Sequence, residues 1–479
     1  MKYHLIMLLS VLCLIRANSQ KLTKVQKTTL EEVDELKTLN HEMCQLLWDY
    51  SETALKEYKS AELLANILEK EGFSIKEDVA GMPTAFVATY GSGSPKIGIL
   101  AEYDALPGIG NTTDPNKTPR KDGIIDGHGC GHNLFGAACT SAAIAIKKTL
   151  EKNNIKGTIV LFGTPAEETV VGKVYMAKEG VFDGMDAVLE WHPGQENEVS
   201  YNPSIAMNNF EVEFFGQSAH GAADPWNGRS ALDAVEVMNY SVNLMREHIR
   251  PTARIHYVIP NGGLAPNVVP DYAKVWYYVR DTSRTNVEEY YERIMNIVEG
   301  ASLATNTTYK VQLITGVHAY NLNQPLLRTL EKNMKLIGVP QFTEKEQAWA
   351  RKLQESAGKE QVGFKTELEP MPEKLENLEP GGGSTDVAEV SFIAPTAGFS
   401  VVTAPDKVPW HSWATAASHG TIAGFKGSDV ASKILAVTGI ELFTSPKLLA
   451  EAKDYFMMKT GGKPYQSPLP IDQIIVLPE

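Results

Sequence analysis

Gly127 to Asn133 reads Gly-His-Gly-Cys-Gly-His-Asn, two histidines and a cysteine set between glycines ahead of an alanine-rich segment. Glycine lets a backbone turn tightly and approach an ion, while thiolate and imidazole are good ligands for a borderline-soft divalent cation. The loop is half of a metal site, with Cys130 and His132 as candidate ligands; a glycine-spaced loop need not use every histidine, and His128 is left out. Further donors follow: Glu168 beside Glu167, His192 before Pro193, and His411 between Trp410 and Trp413, with Asp104 upstream. A pair of divalent ions about 3.5–4 Å apart needs this mixture, one shared ligand and two terminal ligands on each ion. Of two adjacent glutamates, one can bind metal while its neighbour acts as general base, because coordination lowers the pKa of water from roughly 15.7 to about 7.

Each motif also has an ordinary reading. Cys-x-His pairs arise by chance, Glu-Glu is commonly a solvated charge pair, His192 and His411 suit a loop or packing role, and Asp104 suits a helix cap. What joins them is position, since every member lies at a predicted strand end or a glycine turn.

The positioning elements are legible as short apolar runs. Residues 97–101, 157–163 and 187–191 read as strands, each followed at once by polar residues: Glu102 and Asp104, then Glu167 and Glu168, then His192. Open α/β sheets place their sites outside such strand ends, so the three ends converge on one crevice. Helical spacing covers much of 28–72, strands follow at 73–77 and 85–90, 110–126 is an exposed loop, and 134–150 is a helix. From about Tyr201 the pattern becomes βαββαβ, with strands at 209–216, 254–259, 274–280 and 309–314 and helices at 231–246 and 287–303; this is a separate α+β unit inserted into the first domain. Helix resumes at 324–338. The charged tract 343–380 is either a helical excursion or a mobile surface segment, 381–386 is a turn opening a helix, and the C-terminal part is helical. The expected division is 1–19 signal peptide, 20–205 and 319–479 catalytic domain, and 206–318 inserted unit.

A chain of 479 residues, 43% of them hydrophobic, can bury a large core. A net charge of -13 and the lack of any basic run argue against nucleic acid as a partner. Residues 5–15 form an apolar run followed by Ala17-Asn18-Ser19, the pattern of a signal peptide cleaved after Ser19. Export to the periplasm or outside is therefore expected, without stable membrane insertion after cleavage; an uncleaved anchor is the alternative. Cleavage leaves Cys44, Cys130 and Cys139. An odd number argues against a disulfide framework, although a bond between Cys44 and Cys139 stays open.

Six segments in order carry a family resemblance: Ala-Glu-Tyr-Asp-Ala-Leu-Pro at 101–107, Gly-Cys-Gly-His-Asn at 129–133, Pro-Ala-Glu-Glu at 165–168, Trp-His-Pro at 191–193, Gly-Gln-Ser-Ala-His at 216–220 and Asn-Val-Val-Pro at 267–270. They resemble the two-metal aminoacylase and carboxypeptidase superfamily, in the branch that holds indole-acetyl-amino-acid hydrolases, N-acyl-amino-acid amidohydrolases and aminobenzoyl-glutamate hydrolases. The insertion before His128, the charged tract before Pro380, Ser384 to Val387 and His411-Ser412-Trp413 point to the last of these. The resemblance implies an α/β/α catalytic domain with a mixed sheet, interrupted by an α+β lid and dimerisation domain. It implies Cys130 as bridging ligand, with His132, Glu168, His192 and His411 completing the two shells, Glu167 as general base and Asp104 orienting a ligand. His220, often acting in the partner subunit, is implied to stabilise the oxyanion; Asn267 is implied to assist substrate binding, and Arg280 to pair with a substrate carboxylate unless it is held in a structural ion pair.

The implied activity is metal-dependent hydrolysis of N-acyl amino acid amide bonds, with aminobenzoyl-glutamate the leading substrate and a broad aminoacylase or dipeptidase the alternative. Zinc is the expected metal given a thiolate ligand, and manganese is also admitted. A homodimer, or a heteromer with a related subunit, is implied. Rival readings are a catalytically idle partner subunit, which would be marked by loss of Glu167 or a ligand, and a structural envelope protein.

Overall fold

The computed structural model describes residues 21–478 apart from Glu376, Asn377, Glu379, Pro380 and Gly382, so the expected signal segment 1–19 lies outside the described residues, as do parts of the charged tract and of the 381–386 turn. In chain order the strands are Ser74–Lys76 (β1), Phe86–Ser92 (β2), Lys96–Ala101 (β3), Gly157–Gly163 (β4), Ala187–Leu189 (β5), His192–Gly194 (β6), Glu198–Val199 (β7), Ala206–Phe215 (β8), Arg254–Asn261 (β9), Tyr272–Asp281 (β10), Thr308–Val317 (β11), Thr396–Ala397 (β12) and Phe399–Val402 (β13).

The central sheet runs β1-β2-β4-β3-β5-β12. Strands β4, β3, β5 and β12 are parallel and β1 and β2 join antiparallel, so the sheet is mixed. Every residue of β4 is buried, the near-continuous apolar run of a strand covered on both faces. Alternation along the pleat divides the core into two layers. Ile97, Ile99, Ile159 and Leu161 pack under the long helices Lys37–Tyr50, His132–Asn153 and Ile422–Thr444, whereas Leu100, Val160 and Phe162 meet helix Gly172–Lys178 and the short helix Val387–Val390. The result is the α/β/α sandwich that the family resemblance implies. Buried Ala137, Ala138, Ala142 and Ala145 let the central helix lie close to Ile422–Thr444, close enough for Ser432 Oγ to donate to the Ala138 carbonyl at 3.2 Å.

The inserted unit forms an antiparallel sheet, β11-β8-β10-β9. Helices Ala231–Met245 and Arg284–Thr305 cover one face and close their own apolar cluster around Phe210, Tyr277 and Ile294. Strand β9 is an open edge.

Two expectations are corrected, and an open one is resolved in part. The strand read as 187–191 stops at Leu189; His192 to Gly194 leave the central sheet and pair in parallel with β13, which diverts the chain after Glu190. Within the charged tract, Glu344–Ser356 is a helix started by a Thr343/Glu346 capping box, and residues 359–372 beyond it run without regular structure, held by Gln354 and Gln347 bonds to Gly363 and Phe364. The C-terminal part is not helical throughout. Helix Pro446–Thr460 is followed by an irregular tail in which Pro464, Pro468 and Pro470 remove backbone donors. Gln473 in that tail donates to the Leu313 carbonyl of the lid at 2.7 Å and to the Tyr175 hydroxyl at 2.9 Å.

Cys44, Cys130 and Cys139 are free, buried thiols. Among the described residues no helix is long and apolar enough to cross a membrane.

Candidate metal centre and active site

Because β4, β3 and β5 are parallel neighbours, the residues that follow them emerge at one edge of the sheet. The glycine loop meets them there. Gly131 sits in the left-handed region at φ +86°, and a Cβ at that position would lie 2.7 Å from Pro193 Cβ and 3.0 Å from His419 Cε1. Only glycine turns the chain here while letting the His192-Pro193 segment touch it. Gly131 opens the helix His132–Asn153, so Cys130 stands at a helix N-terminus, where the macrodipole favours thiolate.

The glutamate pair is held as firmly. Ala166 and Val170 both have positive φ, +59° and +57°, a strained conformation for a β-branched residue, retained where the surroundings over-determine it. The Ala166 N–H donates to Glu57 Oε1 at 2.9 Å, and the Glu168 N–H donates to Asp104 Oδ2 at 2.9 Å. The other Asp104 oxygen accepts from His132 Nδ1–H at 2.9 Å. Asp104 therefore fixes the His132 tautomer, turns Nε2 toward the crevice and anchors the Glu168 backbone.

The donors divide into two sets that share one atom. Cys130 groups with His132 and His192, and again with Glu168 and His411, each set having its ligand atoms within 4.8 Å of one another. Cys130 Sγ lies 3.4 Å from His192 Nε2, and Glu168 Oε2 lies 3.5 Å from His411 Nε2. The Pro193 carbonyl accepts from His192 Nδ1 at 2.6 Å, which leaves Nε2 as the free lone pair. A third set, Glu102, His132 and Glu167, adjoins them. His132 Nε2 is 3.1 Å from Glu102 Oε2 and 4.0 Å from Glu167 Oε2. His132 Nε2, Glu102 Oε2 and Glu168 Oε1 are buried without an aligned hydrogen-bond partner among the described residues. Unpartnered donors of thiol, imidazole and carboxylate type converging on one space fit divalent cations.

Protonation follows from burial and crowding. Burial, with His132 nearby, pushes His192 down to about 4, so it is a neutral imidazole. Burial lifts Glu168 to about 7, and burial, Glu102 and Asp386 hold Glu167 well above the usual carboxylate range. Burial opposes charge on His132, but Cys130, Asp104 and Glu102 outweigh it and raise its pKa. Burial and Glu168 push the Cys130 thiol up. Bound cations reverse this logic and favour thiolate and carboxylate.

A cavity of about 310 Å³ opens on the cluster, with Glu102, Cys130, Glu167, His192 and His411 on one wall and Ser200, Asn202, Ser204, Tyr320, Ser384 and Thr385 among the others. A larger cavity of about 650 Å³ lies between the lid and the C-terminal tail, but among the described residues no carboxylate, histidine or cysteine lines it. Chemistry belongs to the smaller one. Of the residues named from sequence, Asp104, Cys130, His132, Glu167, Glu168, His192 and His411 come together here. His220 and Asn267 do not. They lie exposed on the lid, where Gly221 N–H donates to the Asn267 carbonyl at 2.8 Å, and neither lines the cavity. Arg280 is intermediate: its Nη1 donates to Ser384 Oγ, on the cavity wall, at 3.0 Å. His128, left out of the expected ligands, donates Nε2–H to the Leu47 carbonyl at 2.9 Å and is structural.

Sequence reasoning passed over a buried network behind the cluster. Lys173 Nζ contacts Glu102 Oε1 at 2.7 Å and Asp386 Oδ1 at 2.6 Å, and all three side chains are fully or almost fully buried. Glu102 carried a signal, since it alternates with Asp104 at a strand end. Lys173 carried none, because a lysine in a short helix reads as solvated.

A two-set donor cluster at the carboxyl edge of an α/β/α sheet, with an inserted lid, defines a metal-dependent hydrolase of amide bonds, and the chain belongs to the peptidase family M20/M25/M40, which matches residues 98–400. Among its relatives, one of the named subunits of p-aminobenzoyl-glutamate hydrolase of Escherichia coli strain K12 is 36% identical over 454 residues, covering 88% of this chain and 93% of that protein. Human Xaa-Arg dipeptidase is 28% identical over 448 residues, covering 90% and 91%. Of solved structures, the aminobenzoyl-glutamate utilization protein from Klebsiella pneumoniae superposes with a TM-score of 0.57 at 18% identity, covering 85% of this chain and 97% of that one. A dinuclear metal-binding M20 peptidase from Bacillus subtilis gives 0.54 at 18% identity, covering 84% and 99%. At these identities the structural likeness speaks to the fold.

Proposed function

We propose that the protein cleaves the amide bond of p-aminobenzoyl-glutamate, releasing p-aminobenzoate and glutamate, at a centre where Cys130, His132, Glu168, His192 and His411 would hold two divalent ions. The observation that carries the mechanism is the division of donors into two sets sharing Cys130, with Glu167 beside them on the cavity wall; the substrate rests on the 36% identity to the Escherichia coli hydrolase subunit across 93% of its length. His132 and His192 would serve one ion, Glu168 and His411 the other. Ions held there supply Lewis acidity that polarises the amide carbonyl and acidifies a water. Glu167 takes the proton of the attacking water and delivers it to the departing nitrogen. Asp104 keeps His132 oriented, and Arg280 stands behind Ser384 as the cation for a substrate carboxylate. A dipeptidase is the second reading, favoured by the near full-length match to Xaa-Arg dipeptidase.

Zinc is the first candidate for the ions and manganese the second. Purified residues 20–479 are expected to lose amide cleavage on chelation and to regain it with one of these metals, on p-aminobenzoyl-glutamate tested beside N-acyl amino acids and dipeptides. Cleavage of the glutamate conjugate alone supports the first reading, cleavage across the panel the second, and no chelator-sensitive cleavage of anything defeats both.

Export through the segment 1–19 accompanies this reading. So does assembly as a homodimer, or with a related chain, an arrangement suggested by two relatives that are named as different subunits of one hydrolase. The lid offers an open edge at β9, with Val258 and Ile259 exposed, and beyond it exposed Leu264 and Val268; such an edge is suited to pairing with a second copy. His220 forms a β-bridge with Val268 in that region, and its Nδ1 accepts from the N–H groups of Ala222 and Ala223, leaving Nε2 to reach a partner's site as oxyanion donor. His220→Ala is then expected to lower kcat by roughly 10²–10³ with KM little changed. A kcat equal to wild type would remove this role from His220.

A further inference from the structure

Glu190 lies between the end of β5 and His192, and it shares a cavity wall with His192, Tyr320 and Trp410. The residue is 6% exposed. The charged groups acting on its carboxyl are Glu102, which repels it, and Lys173, which is already bound to Glu102 and Asp386. Neither oxygen has a hydrogen bond or ion pair among the described residues. A carboxyl on a cavity wall with acceptor capacity to spare can take a hydrogen bond from a ligand.

The seat of this carboxyl is built by the backbone opposite. A Cβ on Gly398 would fall 1.5 Å from Glu190 Oε1 and 2.2 Å from its carboxyl carbon, so any side chain at 398 would expel it. The Glu190 N–H donates to the Ala397 carbonyl at 3.2 Å, which ties the two segments together. Two more polar atoms on the same cavity wall, Tyr320 OH and Ser204 Oγ, are buried and unpartnered. Arg280 Nε, buried behind Ser384, is unpartnered as well. The site thus offers a carboxyl acceptor on the cavity wall and, behind Ser384, a guanidinium with hydrogen-bonding capacity left over.

We propose that Glu190 is a specificity-determining residue that accepts a hydrogen bond from an amine nitrogen of the substrate, so that the cavity prefers amides bearing both a carboxylate and an amine over amides bearing a carboxylate alone. The proposal rests on the reading of this cavity as the substrate site. Two sources supply such a nitrogen: the arylamine of an aminobenzoyl group and the ammonium of an unblocked dipeptide. A benzoyl or acetyl group supplies neither.

The test uses the full chain loaded with zinc and carrying Glu167→Gln to stop turnover. Affinities are measured by calorimetry for two matched pairs, p-aminobenzoyl-glutamate against benzoyl-glutamate and glycyl-glutamate against N-acetylglutamate. With Glu190 present, the amine-bearing member of at least one pair is expected to bind about tenfold or more tightly. Added Glu190→Ala should cut that advantage to within about twofold while leaving the amine-free ligand within about threefold. Comparing two ligands on one variant cancels any general loss of fold. Glu190→Gln keeps the shape and an acceptor oxygen, so it should preserve much of the amine preference that Glu190→Ala loses. An amine preference that survives Glu190→Ala, or is missing from the parent although the ligands bind, overturns the proposal alone. If none of the four ligands binds, the reading of the cavity as a glutamate-amide site fails and takes this proposal with it.

Discussion

Glu167→Gln is expected to keep its metal and lose turnover by ~10²–10⁴-fold, the range for removal of a positioned general base. Glutamine preserves the length and planarity of the side chain, so the loop strained at Ala166 and Val170 has no reason to move. It cannot take up and release a proton. Glu167 lies outside both sets that share Cys130, and its Oε2 is 4.0 Å from His132 Nε2. The ligand shells therefore survive the change. Metal content by elemental analysis and kcat on p-aminobenzoyl-glutamate together separate the roles. Lost metal would make Glu167 a ligand, and near wild-type turnover with full metal would remove it from proton transfer.

Lys173→Met should be the most destabilising of these substitutions, by ~3–5 kcal/mol, because it leaves buried carboxylates without their cation. Lys173 is fully buried, its Nζ faces Glu102 and Asp386, and its backbone N–H donates to Asp386 Oδ2 at 2.8 Å. The triad pins helix Gly172–Lys178 to the turn that starts Val387–Val390 and holds Glu102 beside His132. Asp386→Asn placed on top of Lys173→Met should recover part of the loss, since it removes one of the two stranded charges. Denaturant unfolding of the metal-free single and double variants gives both numbers. A single-variant loss under about 1 kcal/mol would mean that the two carboxylates are neutral in the native protein and that the triad is not an ion network.

The local part of this protein could be read from the chain. Apolar runs ending in Glu-Tyr-Asp, Pro-Ala-Glu-Glu and Trp-His-Pro mark strand ends that carry chemistry, and they do so because buried strands are short, continuous and terminated by polar residues. The inserted unit was legible for the same reason: its strands and helices differ in period, and the order β8, helix, β9, β10, helix, β11 is as expected. Which side chains could serve as ligands follows from their chemistry, which needs no coordinates.

What tertiary structure decided is pairing over distance. Cys130 meets His192 across 62 positions and Lys173 meets Asp386 across 213. No periodicity encodes such contacts, because they depend on which strands lie side by side. The departure of His192 into the small β6-β13-β7 sheet, the unpartnered carboxyl of Glu190 against Gly398, and the placement of His220 on the lid away from its own crevice all follow from that packing. Sequence by itself determined which atoms can bind a metal or move a proton; the fold decided which of them share a cavity, since burial and charge at a side chain are set by neighbours that the chain brings in from elsewhere.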